Sequence, residues 1–329
     1  MRHTKKICVT SLGALAGWVL PVSGQPVVDG TLSPGEYGAN TPGTGALSTQ
    51  TINSGFGDST VGDGSSGGGS ELDASYGVVQ NGNLYVFLAG NVESNGNNLN
   101  VFISDGRAGQ STLALPGVGT TDLSVMNGST FSSGFLATYA MNIVDSGGTN
   151  GTLTVEEYKY SAPNTLTGGV VGAPIALTGG IGTGTPGVAT IGYNDTNVSA
   201  MSGAQGTTTS SETTALQATK TGIEIGIPLS ALGNPAPGSN ILILADINGG
   251  GATGTTDDSY LSNQFLPGLA VGTTNLGGGG AYTGPNGGTF NFTNTPGEYF
   301  SVTVPVPEPA TFGLMGGLTS LLLLRRRIH

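Results

Sequence analysis

The feature that most restricts the fold of this chain is a series of short alternating segments separated by glycine-rich turns. The clearest covers residues 222–227, in which Ile223, Ile225 and Ile227 occupy every second position. A period of two places these side chains on one face of a β-strand, and Pro228 then ends the pattern. Because no stretch between the two chain termini keeps a helical period, the sequence predicts an all-β fold.

Several other segments have the length and composition of strands. Residues 83–89 follow Asn81-Gly82, a dipeptide typical of hairpin turns, and are apolar at both even and odd positions, which predicts a strand in the centre of a sheet. About ten to fourteen short strands favour an antiparallel β-sandwich, which we expect to be jelly-roll-like. The remaining predicted strands are residues 72–79, 99–104, 134–143, 152–160, 170–177, 187–193, 241–247 and 299–304.

The C-terminal residues carry a membrane signal in three parts. Pro307, Glu308 and Pro309 come first, the uncharged segment 310–324 follows, and Arg325, Arg326 and Arg327 close it. As a helix, segment 310–324 spans about 22 Å of a hydrocarbon core of about 30 Å, and flanking arginines that reach the interface close the gap. The arginines predict a cytoplasmic end, with the rest of the chain across the membrane.

This order of parts resembles the PEP-CTERM sorting signal, the substrate tail of bacterial exosortases. The resemblance covers residues 305–329 and implies an exosortase as the partner that processes the chain near Glu308. It also implies that the segment 310–324 anchors the protein in the membrane before processing. Afterwards the protein is expected at the cell surface or outside the cell.

The N-terminal residues predict export. Basic residues at positions 2, 5 and 6 precede an apolar stretch over 7–20, and Val22 and Gly24 are the small residues expected before a signal-peptide cleavage site. We therefore expect cleavage after Gly24. The chain then divides into a signal peptide (1–24), a body rich in Gly, Ser and Thr (25–304) and the sorting segment (305–329).

Composition excludes several function classes. All twenty acidic residues lie between Asp29 and Glu308 together with only three basic ones, which gives this stretch a net charge of −17. Such a surface repels nucleic acid. The only cysteine, Cys8, and both histidines, His3 and His329, lie in the terminal sorting segments. Disulfides, histidine-based triads and histidine-ligated zinc are therefore excluded from the body.

Three short motifs of the body resemble the β-sandwich of family 9 carbohydrate-binding modules and DOMON-like domains. They are Asp29-Gly30-Thr31 followed by Glu36-Tyr37, the strand around residues 84–86, and residues 222–228. The resemblance implies a sandwich and, in some relatives, binding of sugar, haem or calcium. Sugar sites of this family use tryptophan, and the only one here, Trp18, lies in the predicted signal peptide. Haem ligation by histidine is unavailable.

Candidate ligand residues follow from residue type and position. Acidic side chains at strand ends and turns supply the oxygen ligands that calcium prefers, although no EF-hand spacing accompanies them. Tyrosines outside the strand patterns could stack on sugars. The carboxylate pair Glu156 and Glu157 points to opposite faces of a strand and so cannot act together in glycoside hydrolysis. The calcium candidates are Asp29, Glu93, Asp105 and Asp246, and the sugar-stacking candidates are Tyr37 and Tyr282.

These observations predict an exported, non-enzymatic protein of the cell envelope or extracellular matrix that is sorted by an exosortase. The alternative is a module that binds extracellular polysaccharide in the same compartment. No cofactor is expected, with calcium as the alternative.

Overall fold

The computed structural model describes residues 24–38, 43–53, 70–114, 128–161, 165–196, 206–207, 214, 216–249, 260–274, 276, 291–294 and 298–307. Within these residues, fourteen strands form two antiparallel sheets, and helix is confined to short turns. The prediction of an all-β chain built as two antiparallel layers is confirmed.

The first sheet has six strands in the order β1-β2-β3-β11-β10-β9. The third and fourth positions belong to β3 and β11, so the expectation that residues 83–89 form a central strand is confirmed. The bounds are β1 Ser48–Thr49, β2 Glu71–Gln80, β3 Asn83–Asn91, β9 Ile181–Gly184, β10 Thr190–Asn194 and β11 Gly222–Pro228.

The second sheet has eight strands, with the main order β13-β12-β4-β5-β6-β7. Two further strands pair beside this path, β14 with β12 and β8 with β6. The bounds are β4 Asn95–Ser104, β5 Tyr139–Ser146, β6 Thr152–Ser161, β7 Thr165–Val171, β8 Ile175–Ala176, β12 Asn240–Gly249, β13 Tyr260–Leu266 and β14 Phe300–Thr303.

Two paired crossings join the sheets. The chain passes from β3 in the first sheet to β4 in the second, and from β11 in the first to β12 in the second. Because both pairs are antiparallel, the two crossings lie at opposite ends of the sandwich: β3 crosses beside the start of β11, and β11 crosses beside the start of β3. The pair β3–β11 of the first sheet is therefore connected at both ends to the pair β4–β12 of the second.

The main core lies between the sheets. Ile223, Ile225 and Ile227 are fully buried in it, as their alternation predicted. Facing residues come from β4 and β12, including Val101 and Ile243. A second apolar cluster around Phe102, Phe265 and Phe292 covers part of the outer face of the second sheet, and a smaller one covers the outer face of the first.

Two local expectations are corrected. The strand predicted over residues 99–104 begins earlier, because β4 starts at Asn95 and its Asn98 and Asn100 pair with Asn248 and Asp246 of β12. The expected strand 170–177 is divided into β7 and β8. At the break, a Cβ on Gly172 would lie only 2.2 Å from the carbonyl oxygen of Pro186, so the chain needs glycine there.

The predicted terminal segments fall largely outside the described residues. These include the signal peptide up to residue 23, Glu308, Pro309, the segment 310–324 and the three arginines. In the part of the chain that the structure describes, no helix has the length and apolar character needed to cross a membrane.

Candidate functional site

The chain leaves the folded body at an exposed point. Strand β14 pairs with β12, and the last bonds to the body are Val304 N to Ser239 O at 2.9 Å and Gly238 N to Val304 O at 2.8 Å. Val304 is buried, whereas Pro305, Val306 and Pro307 are exposed. Among the described residues, the chain therefore ends in an exposed segment that follows its last bond to the sheet.

Glu224 holds the N-terminal segment on the outer face of the first sheet. Its Oε2 accepts the amides of Asp29 at 3.0 Å and Gly30 at 3.2 Å, and its Oε1 accepts the hydroxyl of Tyr37 at 2.6 Å. Burial raises the pKa of Glu224 to about 7, although these hydrogen bonds oppose the increase. Sequence periodicity placed Glu224 opposite the isoleucines but did not indicate that it is buried.

Two glycines allow this close approach. Gly192 is the neighbour of Glu224 across the β10–β11 pair, and a Cβ there would lie 2.6 Å from the amides of Asp29 and Gly30. Gly30 itself has φ +78°, and a Cβ on it would lie 2.6 Å from the amide of Asn194. The motif Asp29-Gly30 therefore lies directly on the sheet backbone, and its conformation is explained by folding alone.

Tyr37 completes the same contact. It has a positive φ of 50°, which is uncommon outside glycine, and its ring packs 6.4 Å from both Tyr76 and Phe87. Only 7% of Tyr37 is exposed. The ring therefore offers no free face for the sugar stacking that was predicted for it. Tyr282, the other stacking candidate, lies outside the described residues.

The four predicted calcium ligands are not brought together. Asp29 accepts the amide of Thr31 at 2.8 Å on the first sheet. Asp105 follows β4 and forms an ion pair with Arg107 at 2.6 Å, while Asp246 lies towards the opposite end of the β4–β12 pair. The amide of Glu93 donates to Ser70. Within the described ranges, no three His, Cys, Asp or Glu side chains are grouped for a metal.

The outer face of the second sheet carries a row of buried polar side chains, here called the polar strip. The amide of Asn142 donates to Asn100 at 2.9 Å, and Asn100 donates to Asp246 at 3.0 Å and to Asn248 at 2.7 Å. Burial raises the pKa of Asp246 to about 7. Four side-chain atoms of this row have no hydrogen-bond partner among the residues that the structure describes: Oδ2 of Asp246, Nδ2 of Asn248 and both polar atoms of Asn98. The polar strip comprises Asn98, Asn100, Asn142, Asp246 and Asn248.

The carboxylate pair behaves as predicted. Glu156 contacts the hydroxyl of Tyr158 on the outer face, while Glu157 contacts Tyr139 on the inner face. Glu157 also accepts the amides of Val188 and Ala189 at 3.0 Å. The two carboxyl groups therefore lie on opposite faces of β6 and cannot flank one bond of a substrate.

Comparisons with known proteins identify no relative. No family model matches the chain, and neither a curated protein nor a solved structure does. The interpretation therefore depends on the sequence and the geometry.

Proposed function

We propose that this protein is an exported, non-enzymatic component of the cell envelope or extracellular matrix, released from a membrane anchor by an exosortase. The observation that carries the proposal is the exposure of residues 305–307, because the predicted triplet Pro307-Glu308-Pro309 begins there. Exposure at this point would let a protease approach the triplet without unfolding β14. The proline residues also keep it from forming helix hydrogen bonds, which suits cleavage in an extended conformation.

The sandwich architecture agrees with a structural role. The crossings β3–β4 and β11–β12 connect the centres of the two layers at opposite ends of the sandwich, and the proposal includes a jelly-roll-like topology. In the described residues, the buried carboxylates of Glu157 and Glu224 are occupied by backbone amides and tyrosine hydroxyls. They therefore hold segments of the fold together, which is consistent with a chain that catalyses no reaction.

The test is the C-terminus of the exported protein, read by mass spectrometry in a host with and without its exosortase. We expect the wild-type chain to end near Pro307 outside the inner membrane, and Glu308→Ala to slow this release while membrane insertion is kept. Pro305→Ala is the matched control, because it changes an exposed proline outside the triplet. Replacing Arg325, Arg326 and Arg327 with serine should weaken the orientation in the membrane. Protein outside the inner membrane that still carries Arg327 would contradict the proposal.

Binding of extracellular polysaccharide is the second candidate, and the polar strip favours it. Amide and carboxylate groups in a row can bond sugar hydroxyls, and Phe102 and Tyr158 lie on the same face of the sheet. Because the strip is buried, sugar contact requires this face to open. A glycan array with the wild-type chain and with Asn142→Ala tests this function. Binding that the substitution does not weaken would remove the polar strip from consideration.

A further inference from the structure

Two strands in different sheets carry an aspartate where an inward-facing apolar row ends. On β5 the row contains Met141 and Ile143, and the next inward position is Asp145, which is 1% exposed. On β10 the inward residue Tyr193 is followed two positions later by Asp195, which is 2% exposed. Positions two apart face the same side of an extended chain. The carboxyl group of Asp145 therefore points into the sandwich, and Asp195, which follows the last residue of β10, is buried as well.

Tyr193 connects the two aspartates. Its hydroxyl lies 2.8 Å from the carbonyl oxygen of Val92 and 3.2 Å from Oδ2 of Asp145. Besides burial, the negative charges of Asp195 and Asp145 raise the pKa of Tyr193, because both are near its hydroxyl. The carbonyl oxygen of Val92 and the carboxylate of Asp145 thus meet at the Tyr193 hydroxyl, and the charge of Asp195 acts on the same hydroxyl.

The Tyr193 hydroxyl has one proton too few to bond both of its neighbours. A phenol hydroxyl has a single proton, but both neighbours of the Tyr193 hydroxyl, the carbonyl oxygen and the carboxylate, are acceptors. The other oxygen of Asp145, Oδ1, has no hydrogen-bond partner in the described part of the chain. Among the described residues, Tyr193 supplies the only hydrogen bond to the side chain of Asp145. A buried carboxylate in this state needs either a proton or a cation.

We propose that Asp145, Asp195 and the carbonyl oxygen of Val92 bind a calcium ion that links the two sheets. All donors are oxygen atoms, which suits a hard cation, and calcium readily combines carboxylates with backbone carbonyls. Nitrogen and sulfur donors, which zinc and copper prefer, are not among them. Two carboxylates also match the double charge of the ion. This site differs from the four aspartate and glutamate positions that the sequence suggested.

The ion would act as a structural link. Asp145 belongs to the second sheet and Asp195 follows a strand of the first, so an ion held by both would join the two layers. Its charge would also offset that of two buried carboxylates. The proposal goes beyond the sorting function and can succeed or fail independently of it, because ion binding is measured on the purified chain.

Terbium luminescence tests the site. The full-length chain, purified in detergent and freed of metal with a chelator, is titrated with terbium while tyrosine is excited. We expect saturable emission that calcium displaces, because Tyr193 lies at the site and transfers its energy to the lanthanide. An absence of saturable emission would overturn the proposal.

Three variants assign the signal. Asp145→Asn keeps the shape but removes one ligand charge, so the calcium affinity should fall at least about tenfold. Asp195→Asn should also lower the calcium affinity, and it tests the site if Asp145→Asn does not fold. Asp246→Asn is the matched control, because Asp246 is equally buried but lies on the outer face of the second sheet. Unchanged affinity in Asp145→Asn, or equal losses in all three variants, would contradict the assignment.

Discussion

Removing the carboxyl group of Glu224 should release the N-terminal segment from the first sheet. In Glu224→Ala the amides of Asp29 and Gly30 and the hydroxyl of Tyr37 lose their acceptor at once. The Gly30 and Tyr37 contacts are buried, so water cannot replace the acceptor without opening the structure. The segment around residues 25–38 should then detach before the sandwich unfolds.

The magnitude follows from the number of unsatisfied groups. An unpaired buried donor costs about 1–3 kcal/mol, so the two buried donors give a loss of about 2–6 kcal/mol. This is a large part of the roughly 5–15 kcal/mol that stabilises a typical domain. Local release of the segment limits the loss, because the exposed donors can then bond to water. Glu224→Gln keeps one oxygen for the two amides, and its NH2 group can donate to the Tyr37 hydroxyl, so it should cost only about 1 kcal/mol.

Two measurements on the same variants check this prediction. Denaturant titration gives the free energy of unfolding, and hydrogen exchange reports the amides of Asp29 and Gly30. We expect strong loss of protection in Glu224→Ala and little in Glu224→Gln. If Glu224→Ala loses less than about 1 kcal/mol and keeps both amides protected, Glu224 does not hold the segment and our reasoning is wrong.

Three further predictions concern the core, pH and the tail. Ile225→Asp should prevent folding, since an unpaired charge in the core costs several kcal/mol. The control Ile225→Val should melt cooperatively. If Ile225→Asp also melts cooperatively, Ile225 does not lie in the core. Burial raises the pKa of Glu224 and Asp246 to about 7 and of Asp145 to about 6. Folding therefore favours their protonated forms, so the melting temperature, measured with a chelator, should decrease as the pH rises from about 5 to about 7. An increase in melting temperature over this range would show that the predicted pH dependence is wrong. A chain ending at Pro307 should keep the melting temperature of the full-length chain, and a marked decrease would show that the tail contributes to the fold.

Local pattern was sufficient for the strands. The alternation of Ile223, Ile225 and Ile227 identified the buried face of β11, and the two apolar faces of residues 83–89 identified a central strand. The separation of Glu156 and Glu157 also followed from the period of two. These features depend on neighbours in the chain, and the geometry of a strand is the same wherever it lies. The exception was the start of β4, where asparagines that usually indicate a turn are paired across strands instead.

Ligand residues were harder to assign, because acidic residues at turns look alike in a sequence. Asp29 and Asp105 were selected by position, yet they serve a local turn and an ion pair. Asp145 was not selected, since it continues a strand and carries no motif. Asp145 lies two positions after Ile143 and four after Met141, and this spacing could have indicated that its carboxyl group is buried, because alternate residues of a strand face the same side.

The sequence by itself determined the all-β class and the inward faces of the strands, because these follow from composition and short-range periodicity. The sorting segments at both ends stay predictions from the sequence. Only the tertiary structure decided which distant residues meet. The carboxylate of Glu224 accepts hydrogen bonds from two amides that lie 194 and 195 positions away in the sequence. Asp145 contacts Tyr193, which lies 48 positions away. Such contacts depend on strand order and on the crossings between the sheets, which no local pattern specifies, and the burial that raises the pKa of these acids arises only when the two layers close on each other.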